Sequence, residues 1–447
     1  MNICFHGLSL MDYKGEEIND VFFLKKLIDE IEESNKCFYL YNEYGIGINN
    51  KQLYECMNLK AKRICIDEYV EMESYEYKKY SEDELNEIVD FNCKLNKKIK
   101  GYSLKEDLIY LSIKCLENIK LHDKKYNIDL FVFWGNSIYS NILRAYCKKN
   151  NKKYCNLENG LFRPFTLMVD SSGVNYESSI SKDIEFYKKI DVDNIRYEKY
   201  LNIPEKAIVD DSELIYYRKK FYEDLGIFID RKDKVNINKS NSTKFDYEYI
   251  YIPLQLETDS QIIKHSKNIK TMRNMIEIII EQLSIYNKKY QNNLKAIVKV
   301  HPLYKSEFNI VDYEEIKRLC TENDIEILYE GDNDSLIKNS KAVVTINSTV
   351  GIQALTHMKP VIALGDSLYS IEGIVYKCDI TDDLWRVIDK AICEGADEDV
   401  IRKYLYYLRF EYLVEIFKPY PDKWSINNII QVIMKGDKVN EKYYQTN

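Results

Sequence analysis

Four groups of polar residues, each placed directly after an apolar run, contain the side chains of this sequence that are best suited to chemistry. Glu158 and Asp259 supply carboxylates, which serve in proteins as general acids, general bases or nucleophiles toward a sugar carbon. His301 supplies an imidazole that can meet a phosphate. The fourth group, Asn347-Ser348-Thr349, supplies small hydroxyl and amide side chains. Each group also has a structural interpretation, so the elements around it bear on the choice.

The fourth group lies in a pattern of strand, polar turn, helix and strand. Ala342 to Ile346 is an apolar run typical of a buried strand, and apolar residues then recur at helical spacing until Lys359-Pro360 breaks the helix. The turn therefore stands at a helix N-terminus, where unpaired N–H groups and a partial positive charge of roughly half a unit favour a phosphate. The alternative is that Ser348 only caps the helix.

The group around Glu158 leaves two interpretations open. Glu158 follows the apolar strand that begins at Lys153, and a carboxylate at such a position can act as an acid or base. Arg163 could then clamp a carboxylate or phosphate, or the two residues could form an ion pair in a surface turn. Asp191-Val-Asp193 has the spacing of a metal–diphosphate site, but no strong strand precedes it, and we predict no metal there.

The groups around Asp259 and His301 are equally ambiguous from local sequence. Asp259 follows a strand end crowded with polar residues, among them Gln255 and Gln261, and is either a nucleophile or a helix cap. His301 ends a strand, and Pro302 fixes the turn after it, which aims the imidazole at the crevice of an α/β sheet. A lone histidine is more often structural than catalytic.

Strands that alternate with helices predict an α/β protein with mostly parallel sheets and ligands at the strand C-terminal ends. We expect an N-terminal α/β domain at 1–180, a helical connection and polar linker at 181–246, and a C-terminal α/β nucleotide-sugar-binding domain at 247–400. Helices at 401–447 are expected to pack back on the N-terminal domain, and a continuous helix is predicted near 398–435. The cleft between the two α/β halves is the default binding site.

Composition narrows the class of protein. The chain has 447 residues, enough for two or three domains, and a net charge of −8, which argues against a nucleic-acid partner. Its eleven cysteines show no metal-ligand spacing, as expected of reduced thiols in the cytoplasm. No signal peptide is evident, and no apolar run approaches the ~20 residues that span a bilayer. We therefore expect a cytoplasmic protein whose membrane contact, if any, is peripheral.

Taken together, the four groups resemble the capsule polysaccharide biosynthesis family, and specifically its single-module KpsS-like β-Kdo transferases. Six blocks occur in the family order over about 230 residues, which is far more specific than any one block. They begin as follows: Glu158-Asn-Gly-Leu-Phe-Arg-Pro with Gly173-Val-Asn-Tyr-Glu, Pro253-Leu-Gln-Leu-Glu-Thr-Asp, Val298-Lys-Val-His-Pro, Thr345-Ile-Asn-Ser-Thr, Gly365-Asp-Ser-Leu-Tyr and Asp383-Leu-Trp.

The resemblance implies a glycosyltransferase of the GT-B-like architecture, with two Rossmann-like halves around a central cleft. It implies transfer of β-Kdo from CMP-β-Kdo with retention, without a cofactor or metal. The implied acceptor is an anionic lipid of the phosphatidylglycerol type or a glycan. The implied setting is the inner face of the cytoplasmic membrane, beside capsule assembly proteins.

Residue roles follow from the same resemblance. Asp259 would attack the anomeric carbon to give a covalent intermediate, and Glu158 would deprotonate the acceptor hydroxyl. The remaining side chains divide into phosphate ligands (His301, Pro302, Asn347, Ser348 and Thr349) and weaker sugar ligands (Arg163, Gln255 and Gln261).

The sequence departs from the family pattern at Asn159, where an acidic residue or Gly is frequent, and at Met168, where Glu is usual. These departures leave the acceptor and the donor sugar open. Two other functions also stay open: a GT-B transferase or epimerase that uses another nucleotide sugar, and a non-catalytic nucleotide-sugar-binding assembly factor.

Overall fold

A computed structural model gives the structure of the protein. It describes nine segments of the chain, and every structural statement below concerns these residues: 1–7, 27–41, 61–67, 79–162, 166–202, 245–305, 310–379, 381–416 and 423–435.

Seven strands form the N-terminal sheet, in the order β13-β6-β5-β4-β1-β2-β3. Neighbouring strands are parallel except at β5–β6 and β6–β13, which are antiparallel. The strands are β1 (Asn2–His6), β2 (Lys36–Tyr41), β3 (Lys62–Cys65), β4 (Leu130–Trp134), β5 (Lys153–Asn159), β6 (Thr166–Asp170) and β13 (Val414–Glu415).

Six strands form the C-terminal sheet, in the order β12-β11-β10-β7-β8-β9, and every pairing in it is parallel. Because parallel neighbours require crossover connections, helices lie between the strands in sequence. The strands are β7 (Tyr249–Pro253), β8 (Lys295–Lys299), β9 (Glu326–Leu328), β10 (Ala342–Thr345), β11 (Val361–Ala363) and β12 (Tyr376–Lys377).

Thirteen α-helices have both ends within the described residues. Most begin at an Asp, Ser or Thr whose side chain accepts a hydrogen bond from the first turn, the usual N-cap arrangement. The helices are α1 (Glu82–Lys100), α2 (Lys105–Tyr126), α3 (Ile138–Lys149), α4 (Ile184–Lys188), α5 (Asn194–Tyr200), α6 (Ser260–His265), α7 (Met272–Tyr290), α8 (Tyr313–Glu322), α9 (Asn333–Asn339), α10 (Val350–Thr356), α11 (Leu384–Glu394), α12 (Glu398–Tyr406) and α13 (Lys423–Lys435).

Alternating strand residues place an apolar layer on each face of both sheets. In β7, Ile250 and Ile252 pack into the cluster that contains α7, while Tyr249 and Tyr251 pack into the cluster on the other face. The second of these clusters also contains Met168 of the N-terminal sheet, so apolar packing joins the two halves. The fold is the predicted one: two Rossmann-like halves around a central cleft, in the GT-B-like arrangement.

The predicted continuous helix near 398–435 is wrong. Helix α12 is followed by a π-helical turn at Tyr407–Tyr412, the short strand β13 and then α13. Strand β13 pairs with β6 at the edge of the N-terminal sheet, and its Val414 joins that sheet's core. Pairing across the whole chain, which no local pattern reports, overrides the helical periodicity.

The predicted linker falls mostly on residues 203–244, which lie outside the described residues, and the predicted domain boundaries stay predictions. No helix in the described part of the chain is both long and apolar enough to cross a bilayer.

Candidate active site

One cleft between the halves brings together most of the side chains predicted from sequence. Its volume is about 240 Å³, and strand ends and short loops of both sheets surround it. Its walls are formed by Glu158, Leu161, Asn175, Gln255, Leu256, Asp259, Ser260, Gln261, His301, Asn347, Ser348, Thr349, Ser367, Leu368 and Tyr369.

Asp259 enters the cleft from the C-terminal half as the N-cap of α6. Its Oδ1 accepts a hydrogen bond of 2.8 Å from the backbone N–H of Gln261, and its backbone turns the chain from the end of β7 into the helix. Asp259 is exposed, so its carboxylate faces the solvent of the cleft. The two interpretations from sequence therefore coexist: the residue is a cap, and it also presents a carboxylate to the cleft.

Glu158 enters the same cleft from the N-terminal half, near the end of β5. Its Oε1 accepts a hydrogen bond of 2.8 Å from the backbone N–H of Asn159, which orients the carboxylate. Gly135, in the turn after β4, lies beside it, since a Cβ on that residue would stand 3.5 Å from Oε2 of Glu158. A glycine there, with a φ of +62°, leaves the carboxylate room at the strand ends.

His301 is partly buried at the end of β8, and its tautomer follows from one contact. Its Nδ1 accepts a hydrogen bond of 3.1 Å from the backbone N–H of Leu303, so the neutral ring carries its proton on Nε2. Burial lowers the pKa of His301 below its usual value, against the opposing effect of Asp259. A neutral imidazole with an N–H donor therefore lines the cleft at pH 7.

The turn between β10 and α10 holds three of its N–H groups internally. The backbone N–H of Ser348 bonds Thr345, while the N–H groups of Val350 and Gly351 bond the hydroxyl and carbonyl oxygens of Ser348. Within the described residues, the backbone N–H of Thr349 has no partner, and its side chain makes no cap bond. The Ser348 hydroxyl, which accepts from Val350, keeps its own proton to donate. The donors that line the cleft are thus fewer than a bare helix N-terminus would offer.

Asn347 lines the cleft, but its side chain is bonded within the protein. It is 6% exposed, and its Oδ1 accepts a bond of 3.0 Å from Nε2 of Gln255. Its Nδ2 donates to the carbonyl oxygens of Gln261 and Asp366. The oxygen and the nitrogen of the side-chain amide thus tie three loops together, so Asn347 positions the turn, and its predicted contact with a phosphate stays a prediction.

Gln255 lines the cleft and braces it from within, while its predicted sugar contact stays a prediction. Its Oε1 accepts from the Thr345 hydroxyl at 3.3 Å and from the backbone N–H of Asn347 at 3.2 Å. Because its Nε2 also holds Asn347, the side chain joins the ends of β7 and β10. The side chain of Gln261 is held less firmly, since its Nε2 makes one long contact of 3.4 Å to Ser260.

The remaining predicted residues lie at the margin or outside. Pro302 is exposed and shapes the turn after His301 without lining the cleft. Arg163 lies outside the described residues, so its predicted role stays a prediction. Among the described residues, no group of three or more His, Cys, Asp or Glu side chains could hold a metal ion.

Sequence reasoning did not single out seven of the cleft residues, among them Asn175, Leu161 and Tyr369. Asn175 lines the cleft from the loop after β6 and adopts a left-handed φ of +54°. Leu161 lies beyond β5, and Tyr369 donates a hydrogen bond of 2.5 Å to the carbonyl oxygen of Ser348. All three belong to two of the six quoted blocks, which was the available signal, but their residue types suggested no chemistry.

Two curated proteins show partial similarity to this chain. The Protein FixF of Sinorhizobium fredii is 26% identical over 305 residues, covering 67% of this chain and 64% of that protein. The Capsule polysaccharide export protein KpsS of Escherichia coli is 27% identical over 270 residues, covering 52% of this chain and 66% of that protein. The chain thus spans just under two thirds of these relatives.

Alignments with solved structures cover nearly the whole chain, but their TM-scores are low. The Thermosulfurimonas dismutans KpsC beta Kdo 2,7 transferase aligns over 97% of this chain and 99% of its own, with 13% identity and a TM-score of 0.44. A UDP-GlcNAc 2-epimerase from Methanocaldococcus jannaschii aligns over 98% of this chain and 100% of its own, with 12% identity and a TM-score of 0.35. These scores are too low to bear on activity.

The family match covers more than half of the chain. The model described as "Capsule polysaccharide biosynthesis protein" matches residues 129–193 and 211–391, which include Glu158, Asp259, His301 and Ser348. The chain belongs to the capsule polysaccharide biosynthesis protein family.

Proposed function

We propose that this protein is a glycosyltransferase of capsule or surface polysaccharide biosynthesis that transfers β-Kdo from CMP-β-Kdo with retention. One observation carries the proposal: carboxylates from opposite halves, Glu158 and Asp259, line the same cleft as His301 and the turn at Ser348 and Thr349. A cleft with two carboxylates and neutral phosphate donors suits a sugar that is activated by a phosphate.

The donor phosphate is held by neutral groups in this proposal. The Nε2–H of His301, the hydroxyl of Ser348 and the backbone N–H of Thr349 can each donate to a phosphate oxygen. A single phosphate offers fewer oxygens for chelation than a diphosphate, so the proposed reaction uses no metal.

The reaction proceeds in two displacements. A carboxylate oxygen of Asp259 bonds to the anomeric carbon as the bond from that carbon to the phosphate oxygen breaks and CMP leaves. Glu158 then takes the proton of the acceptor hydroxyl, whose oxygen attacks the same carbon and releases Asp259. Two inversions at one carbon give net retention. The Gln261 N–H fixes the carboxylate of Asp259 before the attack.

The acceptor in this proposal is a lipid of the phosphatidylglycerol type or a glycan, met at the inner face of the cytoplasmic membrane. The turn between α1 and α2 supports a membrane contact. Residues 91–105 contain five lysines and no acidic residue in a chain of net charge −8. Ile99 and Tyr102 are exposed at the end of this hairpin, as expected of a surface that meets anionic headgroups.

Incubation with CMP-β-Kdo and a panel of lipid and glycan acceptors, read by mass spectrometry, tests the function directly. The Asp259→Asn variant is expected to lose at least ~10³-fold in kcat because the neutral amide cannot form the covalent intermediate. CMP binding should survive in this variant. Asp193→Asn is the matched control, since Asp193 also caps a short helix, α5, and lies outside the cleft.

A second variant traps the intermediate. Glu158→Gln should accumulate one Kdo residue on the intact protein, because the acceptor is no longer deprotonated. Transfer by Asp259→Asn at more than about a tenth of the wild-type rate would exclude Asp259 as nucleophile. Preferential binding of UDP or GDP over CMP would instead favour a different nucleotide sugar.

A further inference from the structure

Helix α6 connects the cleft to the opposite half of the protein. The helix has only six residues, with Asp259 as its N-cap and with Lys264 and His265 in its last turn. Both of these residues contact the loop that follows β6 in the N-terminal half. A short helix moves as one body, so contacts at its end also fix the position of its beginning.

The first contact is an ion pair across the halves. Nζ of Lys264 lies 2.8 Å from Oε2 of Glu177, and the two side chains are 18% and 36% exposed. Burial alone would raise the pKa of Glu177, but the charge of Lys264 and its hydrogen bond keep that pKa below the usual value. The carboxylate of Glu177 is therefore ionised at pH 7.

The second contact lies beside the first. The rings of Tyr176 and His265 meet edge to face, with centroids 5.3 Å apart and planes at 62°. Nε2 of His265 is buried without a partner among the described residues, and burial lowers the pKa of this histidine. The ring is thus held by packing, next to the ion pair.

The loop that carries Tyr176 and Glu177 is itself tightly held. Asp170, fully buried at the end of β6, accepts five hydrogen bonds of 2.6–3.1 Å, which come from Ser172 N–H, Gly173 N–H, Ser179 N–H, the Ser179 hydroxyl and the Tyr412 hydroxyl. A fully ligated buried carboxylate makes the loop a fixed platform.

We infer that Tyr176, Glu177, Lys264 and His265 form a clasp that holds α6 against the N-terminal half. Their role rests on the proposed function: Glu177 and Lys264 are positioning residues that set Asp259 opposite Glu158 across the cleft. Neither residue of the ion pair touches the donor phosphate in the proposed reaction. Their loss should therefore slow the chemical step and spare CMP binding.

Amide hydrogen exchange of the full chain tests the clasp without any substrate. In Glu177→Gln and in Lys264→Met, exchange at 260–266 should rise about fivefold to tenfold, because α6 loses its ion pair with the N-terminal half. The double variant E177K/K264E should return exchange to within about threefold of wild type. Lys403→Met is the control, because Lys403 makes a 2.8 Å ion pair with Asp399 inside α12.

Steady-state kinetics separate positioning from folding. With CMP-β-Kdo, each single variant should lose about tenfold in kcat with KM changed by less than about twofold, and the swapped pair should recover. Unchanged exchange at 260–266 in both single variants, or no recovery in the swapped pair, would overturn the clasp. If the variants show these exchange changes but the wild-type protein transfers no Kdo, the proposed function is refuted and the clasp is supported.

Discussion

His301 illustrates how one backbone contact sets the chemistry of a side chain. The backbone N–H of Leu303 donates to Nδ1, so the proton of the neutral ring is on Nε2. Burial lowers the pKa of the ring and keeps it neutral at pH 7. The sequence places His301 at a strand end before Pro302, but the tautomer depends on the turn that these residues adopt. Spacing alone could not specify it.

The pH dependence of CMP binding should report on His301. Burial holds the pKa of His301 below its usual value in the free protein, and a bound phosphate dianion favours the protonated ring. Protonation therefore accompanies binding, and the affinity should rise about threefold to tenfold as pH falls from 8 to 6. Isothermal titration calorimetry measures this rise.

The variant His301→Gln keeps a donor but does not titrate, so its affinity should change with pH only through CMP itself. The phosphate titration near pH ~6 is common to both proteins and cancels in the comparison. If the CMP affinities of wild type and variant change in parallel with pH, His301 does not contact the phosphate.

Asn347 shows the limit of residue-level prediction. Its type and its place in the turn favoured a phosphate ligand. The oxygen and nitrogen of its side-chain amide are instead bonded to Gln255, Gln261 and Asp366. The partners lie 19 to 92 residues away in sequence. Local sequence identified a polar turn at the site, and only the packing of β7 against β10 decides which side chains face the ligand.

At the scale of elements, the ends of β7 and β10 are joined through Gln255. Replacing it by Met removes a partner from Asn347 and Thr345 at once and leaves buried donors and acceptors unpaired. We expect the free energy of unfolding to fall by at least ~3 kcal/mol, at about 1–3 kcal/mol for each of the three groups left unpaired. Thermal denaturation checks the loss.

The matched control is Gln261→Met, since Gln261 lines the same cleft and its amide makes one contact of 3.4 Å. Its stability should change by less than about 0.5 kcal/mol. If the two variants lose equal stability, Gln255 is not a brace.

Most elements follow from apolar runs and helical spacing. Strands such as β4 and β10 are continuous apolar segments, and α8 has its N-cap at Asp312. The exception is β13, whose two residues lie inside a helical pattern. Its pairing with β6 depends on a distant partner, which a local pattern cannot contain.

For the whole molecule, the hairpin of α1 and α2 predicts a response to lipid charge. Vesicles with phosphatidylglycerol should bind the protein, and vesicles of phosphatidylcholine alone should not. Lys97→Gln with Lys100→Gln should weaken binding about 30-fold, at about 1 kcal/mol for each lysine. Sedimentation with vesicles at two salt concentrations measures the effect.

The contribution of exposed apolar side chains to vesicle binding is tested separately. Ile99→Ser with Tyr102→Ser should also weaken vesicle binding, whereas Ile195→Ser should not, although Ile195 is the most exposed of these apolar side chains at 81%. Equal binding to both kinds of vesicle would contradict a membrane contact at this hairpin.

The return of the chain to the N-terminal sheet has a consequence for synthesis. Tyr412, two residues before β13, bonds Asp170 at the end of β6, 242 residues earlier. During translation at 5–20 residues per second, β6 therefore waits roughly 10 to 50 s with its edge unpaired. An open edge strand can pair with other chains in that time. The nascent protein is thus most prone to aggregate while its second half is still being made.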